Sequence, residues 1–184
     1  MEGFFEDLIG DAIVAYAKIA PTCNEIPRAI VAHQVVGRPE RWDNCDIVKR
    51  LEIIMECTGH PFVSGDKLRL LAGLDPELHT KGFANPGSDE IECLFKTIGL
   101  QKIWERFAAI EADRVIKNAL NALVHRRNQI AHGQMDSTVT RADVEDYMAK
   151  VRRLGEVMDQ VIEKEVCEHL SVDAVWALVQ EAEI

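Results

Sequence analysis

Residues 114–135 (RVIKNALNALVHRRNQIAHGQM) contain no Asp or Glu and hold Arg114, Lys117, Arg126 and Arg127. The segment is therefore +4 in a chain whose formal net charge is −10. The rest, with 17 basic and 31 acidic residues, is −14. Near the end of the segment stand Arg127, Asn128 and His132. An imidazole, with an unperturbed pKa of roughly 6.5, exchanges protons near neutral pH. A guanidinium stays charged and presents a planar fork of donors that matches phosphate oxygens. An Asn amide can orient a phosphate or hold the imidazole in one tautomer. Together the three suit transesterification of RNA. A base takes the proton of a 2′-OH, the oxygen attacks the adjacent phosphorus, and the guanidinium stabilises the developing charge. This chemistry asks for no metal and no cofactor, and the sequence shows no metal-ligand spacing.

The spacing alone is weak, because Arg28-Ala-Ile-Val-Ala-His33 repeats it. There, however, the residue after the arginine is apolar and no basic neighbours follow. The plain alternative is structural: basic side chains near a helix C-terminus favour its dipole, and Gly133 is an ordinary helix stop. His33, His60, His79 and His169 read as isolated surface or core histidines. Trp42, Trp104 and Trp176 are too scattered to form a stacking platform for bases.

The elements that must hold this segment are helices. Residues 1–20 carry Phe4 or Phe5, Leu8, Ala12, Ala15 and Ile19 at spacings of three and four, and Pro21 ends the pattern. Its start has no cap, which leaves open whether the natural chain begins upstream of Met1. A short apolar segment leads to a turn at Gly37-Arg38-Pro39. Asn44 opens a helix to residue 57, with Ile47, Leu51, Ile54 and Met55 along one face. Residues 58–87, rich in Gly, Pro, Asp and Asn, read as an irregular excursion with one helical piece near Lys67–Ala72. Ser88 reads as the N-cap of a helix over Asp89–Ile98, stopped by Gly99. A long helix then runs from Gln101 or Ala109 to Ala131, with Val115, Leu120, Leu123 and Val124 inward. Thr140-Arg-Ala-Asp143 resembles a capping box and opens a helix to about Val166. Its inward positions are Val144, Tyr147, Val151, Leu154, Met158, Val161 and Ile162, and charge pairs such as Glu145–Lys150 and Glu163–Lys164 form its solvated face. Asp173–Glu181 closes the chain. No stretch alternates with period two. The expected class is all-α, an antiparallel bundle forming one domain over residues 1–184.

Composition limits the rest. With 47% hydrophobic and 28% charged residues in 184, the chain is neither disordered nor collagen-like. Its acidity argues against coating nucleic acid non-specifically, so any RNA contact must be local. No apolar run reaches membrane-spanning length, and Glu2, Glu6 and Asp7 are unlike the basic start of a signal peptide. Five cysteines, an odd number without a C-x-x-C pair, point to the reducing cytoplasm and to small buried apolar roles.

The stretch LVHRRNQIAHG at 123–133 resembles the signature of the HEPN superfamily, an Arg, a polar residue, a few further residues and a His. The opening MEGFFEDL resembles the first helix of bacterial HEPN proteins of the RiboL-PSP type, and SDEIECLFKTIGLQKIW resembles the stretch before their motif helix. The likeness covers Met1 to about Val166. It implies a helical bundle that homodimerises, so that two motifs meet across the dimer cleft. Active members are metal-independent endoribonucleases leaving a 2′,3′-cyclic phosphate, and many are toxins in toxin–antitoxin or phage-defence systems. The resemblance thus implies His132 as general base or acid, Arg127 on the scissile phosphate and Asn128 orienting it. His125, Arg126 and Lys117 are the expected contacts to the RNA backbone. The expected partners are RNA, a second copy and an antitoxin protein, with no membrane. Some members keep the fold only as a binding or dimerisation module, and that alternative stays open.

Overall fold

The computed structural model describes residues 1–36, 47–84, 86–111, 115–133 and 140–181. Every regular element among them is helical: α1 (Glu2–Ile19), α2 (Arg28–Val36), α3 (Ile47–Thr58), α4 (Pro61–Ser64), α5 (Lys67–Ala72), α6 (Glu77–Thr80), α7 (Ser88–Thr97), α8 (Ile103–Ile110), α9 (Val115–Ala131), α10 (Arg141–Leu170) and α11 (Val175–Glu181). A 3-10 turn, Cys23–Glu25, joins α1 to α2.

Helix α1 is the hub. Its apolar residues exceed one stripe: Phe5, Leu8, Ile9, Ala12, Ile13, Ala15, Tyr16 and Ala17 are all buried. A helix apolar on most sides must be surrounded, and α1 packs against α5, α6, α10 and α11. Phe5 and Phe95 of α7 meet edge-to-face at 6.1 Å in the same core. α10 crosses α1 closely at Gly155, where an added Cβ would lie 3.4 Å from the Phe4 ring.

Helices α9 and α10 pack along each other. The capping box at the start of α10 is formed in full. Asp143 N donates to Thr140 Oγ1 at 3.2 Å, and Thr140 N donates to Asp143 Oδ2 at 2.9 Å. The buried residues of α10 run from Leu154, near its middle, to Val166. The part nearer the motif lies outside the main core.

Several expectations need correcting. Residues 58–87 carry the expected helical piece at Lys67–Ala72, which is α5, and also two unexpected short helices, α4 and α6. Local caps explain this: His60 Nδ1 accepts from the Phe62 amide at 3.3 Å, and Asp66 Oδ1 from the Arg69 amide at 3.1 Å. The expected helix from Gln101 or Ala109 to Ala131 is two helices, because the chain turns extended at Glu111. Ser88 is the first residue of α7, and Gly87 is its cap position, without a side-chain bond. Val115, expected inside, is exposed, while Ile116 and Ala119 are buried beside Leu120. Val144 is 45% exposed. Cys93 is exposed rather than buried. Glu145 pairs with Arg141, Lys150 with Asp146, and Lys164 with Glu168. The Gly37–Pro39 turn, Asn44, Trp42, Cys45 and Arg114 lie outside the described residues, as do the side chains of Ile47, Leu51, Ile54 and Met55.

Candidate functional site

Helix α9 carries five of the six residues singled out above, with His132 directly after its last residue, and two fixtures orient it. The first is polar. Asn121 Oδ1 accepts from the Ser88 amide at 2.9 Å, and its Nδ2 donates to Ser88 Oγ at 3.0 Å. Trp104 Nε1 donates to the Ser88 carbonyl at 2.9 Å. The first amide of α7, an orphan donor by helix geometry, is thus capped by a side chain from α9. The second fixture is apolar: Ile116, Ala119 and Leu120 are buried, with Val124 packed beside the core.

Beyond Leu120 these contacts thin out, and the motif sits on the emergent end. Gly133 stops the helix at φ +73°, its amide donating to the Ile130 carbonyl at 3.0 Å. His132 is exposed, and its amide still bonds to the Asn128 carbonyl at 3.0 Å. Arg127 and His125 are exposed, and Asn128 and Arg126 are half-buried. Lys117 stands apart, ten residues or about 15 Å along the axis before Arg127. Its ammonium sits 5.1 Å from the centre of the Trp104 ring, a cation–π position.

Five residues of helix turn through about 500°, so Arg127 and His132 project about 140° apart around the axis. Asn128 and His132 continue the side of α9 that carries Asn121. Arg127 points with Leu123, Arg126 and Ile130 into a groove against α10. One copy of the helix therefore presents its guanidinium and its imidazole to different sides. The decoy pair Arg28 and His33 has the same angular offset, but His33 is half-buried with its ring centre 4.9 Å from that of His79. Burial lowers the pKa of His33. Exposure, not spacing, separates the two pairs.

The groove between α9 and α10 has a volume of about 580 Å³. Its floor is apolar and bare: Ile130 is 52% exposed and Met148 59%. Among the described residues, three arginines frame it, Arg126, Arg127 and Arg152, and no acidic residue lines it. Arg152 escaped the sequence reading because it lies in α10, beyond the acid-free segment; its position four residues after Met148 on the apolar stripe was the available signal. Arg126 Nε is buried without a hydrogen-bond partner. At the start of α10, the Thr140 amide and hydroxyl hold the Asp143 carboxyl below its usual range, with a smaller pull from Arg126.

A larger cleft, about 930 Å³, lies between α1 and the α6 region. Among the described residues, it is lined by Glu6, Asp7, Asp11, Asp75 and Glu77, with Lys81 as the one cation. That sign repels a polyanion. Among the described residues, no three His, Cys, Asp or Glu side chains are grouped to hold a metal ion, and no helix is long and apolar enough to cross a membrane.

A helical bundle with an Arg-Asn-x3-His motif on the emergent end of one helix defines a HEPN-type protein. The family model described as RiboL-PSP-HEPN matches residues 1–164, and the chain belongs to that family. No curated protein and no solved structure matches it.

Proposed function

We propose that this chain is a metal-independent endoribonuclease that works as a homodimer. The observation that carries the reading is the motif's setting. Arg127, Asn128 and His132 stand on an acid-free, solvent-accessible helix end beside a bare apolar groove. Exposed apolar surface of this kind marks an interaction site. The 140° offset within one helix is a reason for two copies: the Arg127 side of one motif can meet the His132 side of the other. In that cleft, one His132 takes the 2′-OH proton as the oxygen bonds to phosphorus. The bond from phosphorus to the 5′-oxygen breaks, and the leaving oxygen takes a proton from the other His132. Arg127 binds the non-bridging oxygens through charge-assisted hydrogen bonds. Asn128 orients the phosphate, and His125 and Arg126 bind flanking phosphates. The products are a 2′,3′-cyclic phosphate and a 5′-hydroxyl.

In the cell, this activity fits a cytoplasmic toxin of a toxin–antitoxin or phage-defence system, restrained by a protein antitoxin. The bare groove by itself also suits a second reading, a non-catalytic dimerisation or partner-binding module.

The test is cleavage of single-stranded RNA in EDTA. Wild type is expected to leave cyclic phosphate ends. His132→Ala and Arg127→Ala should each lower the rate at least about 100-fold, the scale of a lost general base or charge stabiliser. Folded protein that does not cleave, or cleavage that survives both substitutions, favours the binding module.

A further inference from the structure

The groove holds an arginine that the motif does not account for. Arg152 stands on α10, across the groove from Arg126 and Arg127. It is exposed, and among the described residues it makes no hydrogen bond or ion pair. Its neighbour Arg153 is engaged with Glu111 at 2.8 Å and Glu156 at 3.3 Å. Arg141, one residue into the same helix, is paired with Glu145 at 2.7 Å. Arg152 stands where two grooves meet: among the described residues, the one it shares with Arg126 and Arg127 has no acid in its lining, and the other holds Glu156 and Asp159. It sits one turn after Met148, so its stem extends the apolar stripe and its guanidinium reaches the rim.

We propose that Arg152 is a third arginine of the RNA cleft and holds a backbone phosphate next to the one gripped by Arg127. The proposal rests on the ribonuclease reading and extends it to a second helix. Charge complementarity selects the occupant: three guanidiniums on a chain of net charge −10 are a local exception that suits a polyanion. The charge also limits the path. Arg152 also lines an adjoining groove of about 420 Å³, where Glu156 and Asp159 stand among apolar residues such as Phe4 and Val151. A strand leaving the motif thus meets Arg152 and then two carboxylates, so the bound segment is short. The apolar floor is left for the second copy, and the arginines form the rim between that contact and solvent.

The experiment measures binding of a short fluorescent 2′-O-methyl RNA, which lacks the attacking hydroxyl, to the full chain over a range of salt. Wild type is compared with Arg152→Ala, Arg152→Lys and, as a remote charge control, Arg69→Ala on α5. Losing one phosphate contact should weaken binding about five- to tenfold at low salt and reduce the log–log salt slope by about 0.7 to 1. Arg152→Lys should keep most of the slope, and Arg69→Ala should keep all of it. Sedimentation of each variant reports assembly. If Arg152→Ala binds like wild type, or loses affinity with an unchanged slope because the dimer has dissociated, the assignment of Arg152 is overturned while the nuclease reading stands. A wild type that neither binds nor cleaves RNA overturns both.

Discussion

The two ends of the α9–α10 pair are built from the same kinds of residue and are used differently. At one end, Leu154, Val157, Met158, Val161, Ile162 and Val166 are buried against α1 and its neighbours. At the other, Val144, Met148 and Ile130 keep the same helical period but face solvent, with arginines around them. Periodicity reports that a helix has an apolar face; it does not report what covers that face. In the core, this chain covers it with its own helices. Beside the motif, none of the described residues covers it, and that is where the chemistry-bearing residues stand.

The strongest way to break the contrast is to cut into the buried end. Phe95→Ala removes a fully buried ring and should cost about 3–5 kcal/mol, read as a shift in the urea unfolding curve. A loss below about 1 kcal/mol would show that this end is no better packed than the motif end.

Next comes acid. His79 is 5% exposed and neither ring nitrogen finds a hydrogen-bond partner. Burial, and to a lesser degree the neighbouring His33, lower its pKa to about 4. His79 is thus neutral in the folded state at pH 7, whereas in the unfolded chain it gains a proton near pH 6.5. Stability is therefore full above about pH 6.5 and declines as pH falls towards 4, by at most about 3 kcal/mol from this group. Urea midpoints at pH 7 and pH 4.5 should differ less in His79→Leu than in wild type. Equal pH dependence in the two proteins would remove His79 from this account.

A smaller effect is expected where the two ends join. Asn121→Ala strips the cap from the Ser88 amide and should cost about 1–2 kcal/mol. Hydrogen exchange at Ser88 should accelerate in that variant; unchanged exchange would mean that another group caps α7. The smallest folding effect belongs to the bare end. Met148→Ser, at a site 59% exposed, should change monomer stability by less than about 0.5 kcal/mol. It should nevertheless weaken self-association in sedimentation velocity. A variant that dimerises as wild type does would place the dimer contact elsewhere.

Much of this was legible in the residues. The period of Leu8, Ala12 and Ala15 marks α1, Thr140 and Asp143 mark the start of α10, and Gly133 marks the end of α9. The acid-free run at 114–135 and the order Arg127, Asn128, His132 locate the candidate site, and the family match agrees with the resemblance drawn from them. What could not be read has a common cause: it depends on contacts between residues distant in sequence. Ser88 looks like its own helix's cap, but its amide is met by Asn121, 33 residues on. Val144 and Leu154 look alike on a helical wheel, and only the position of α1 separates them.

The sequence alone thus determined the helices, the charge island and the motif, because helix formation, capping and net charge depend on residues within a few turns of one another. The tertiary structure decided which apolar faces are covered. It also decided which Arg-x4-His pair remains open and that Arg152 joins Arg126 and Arg127 at one groove. Those outcomes depend on how α1, α9 and α10 cross, and burial is a property of that arrangement rather than of any one helix.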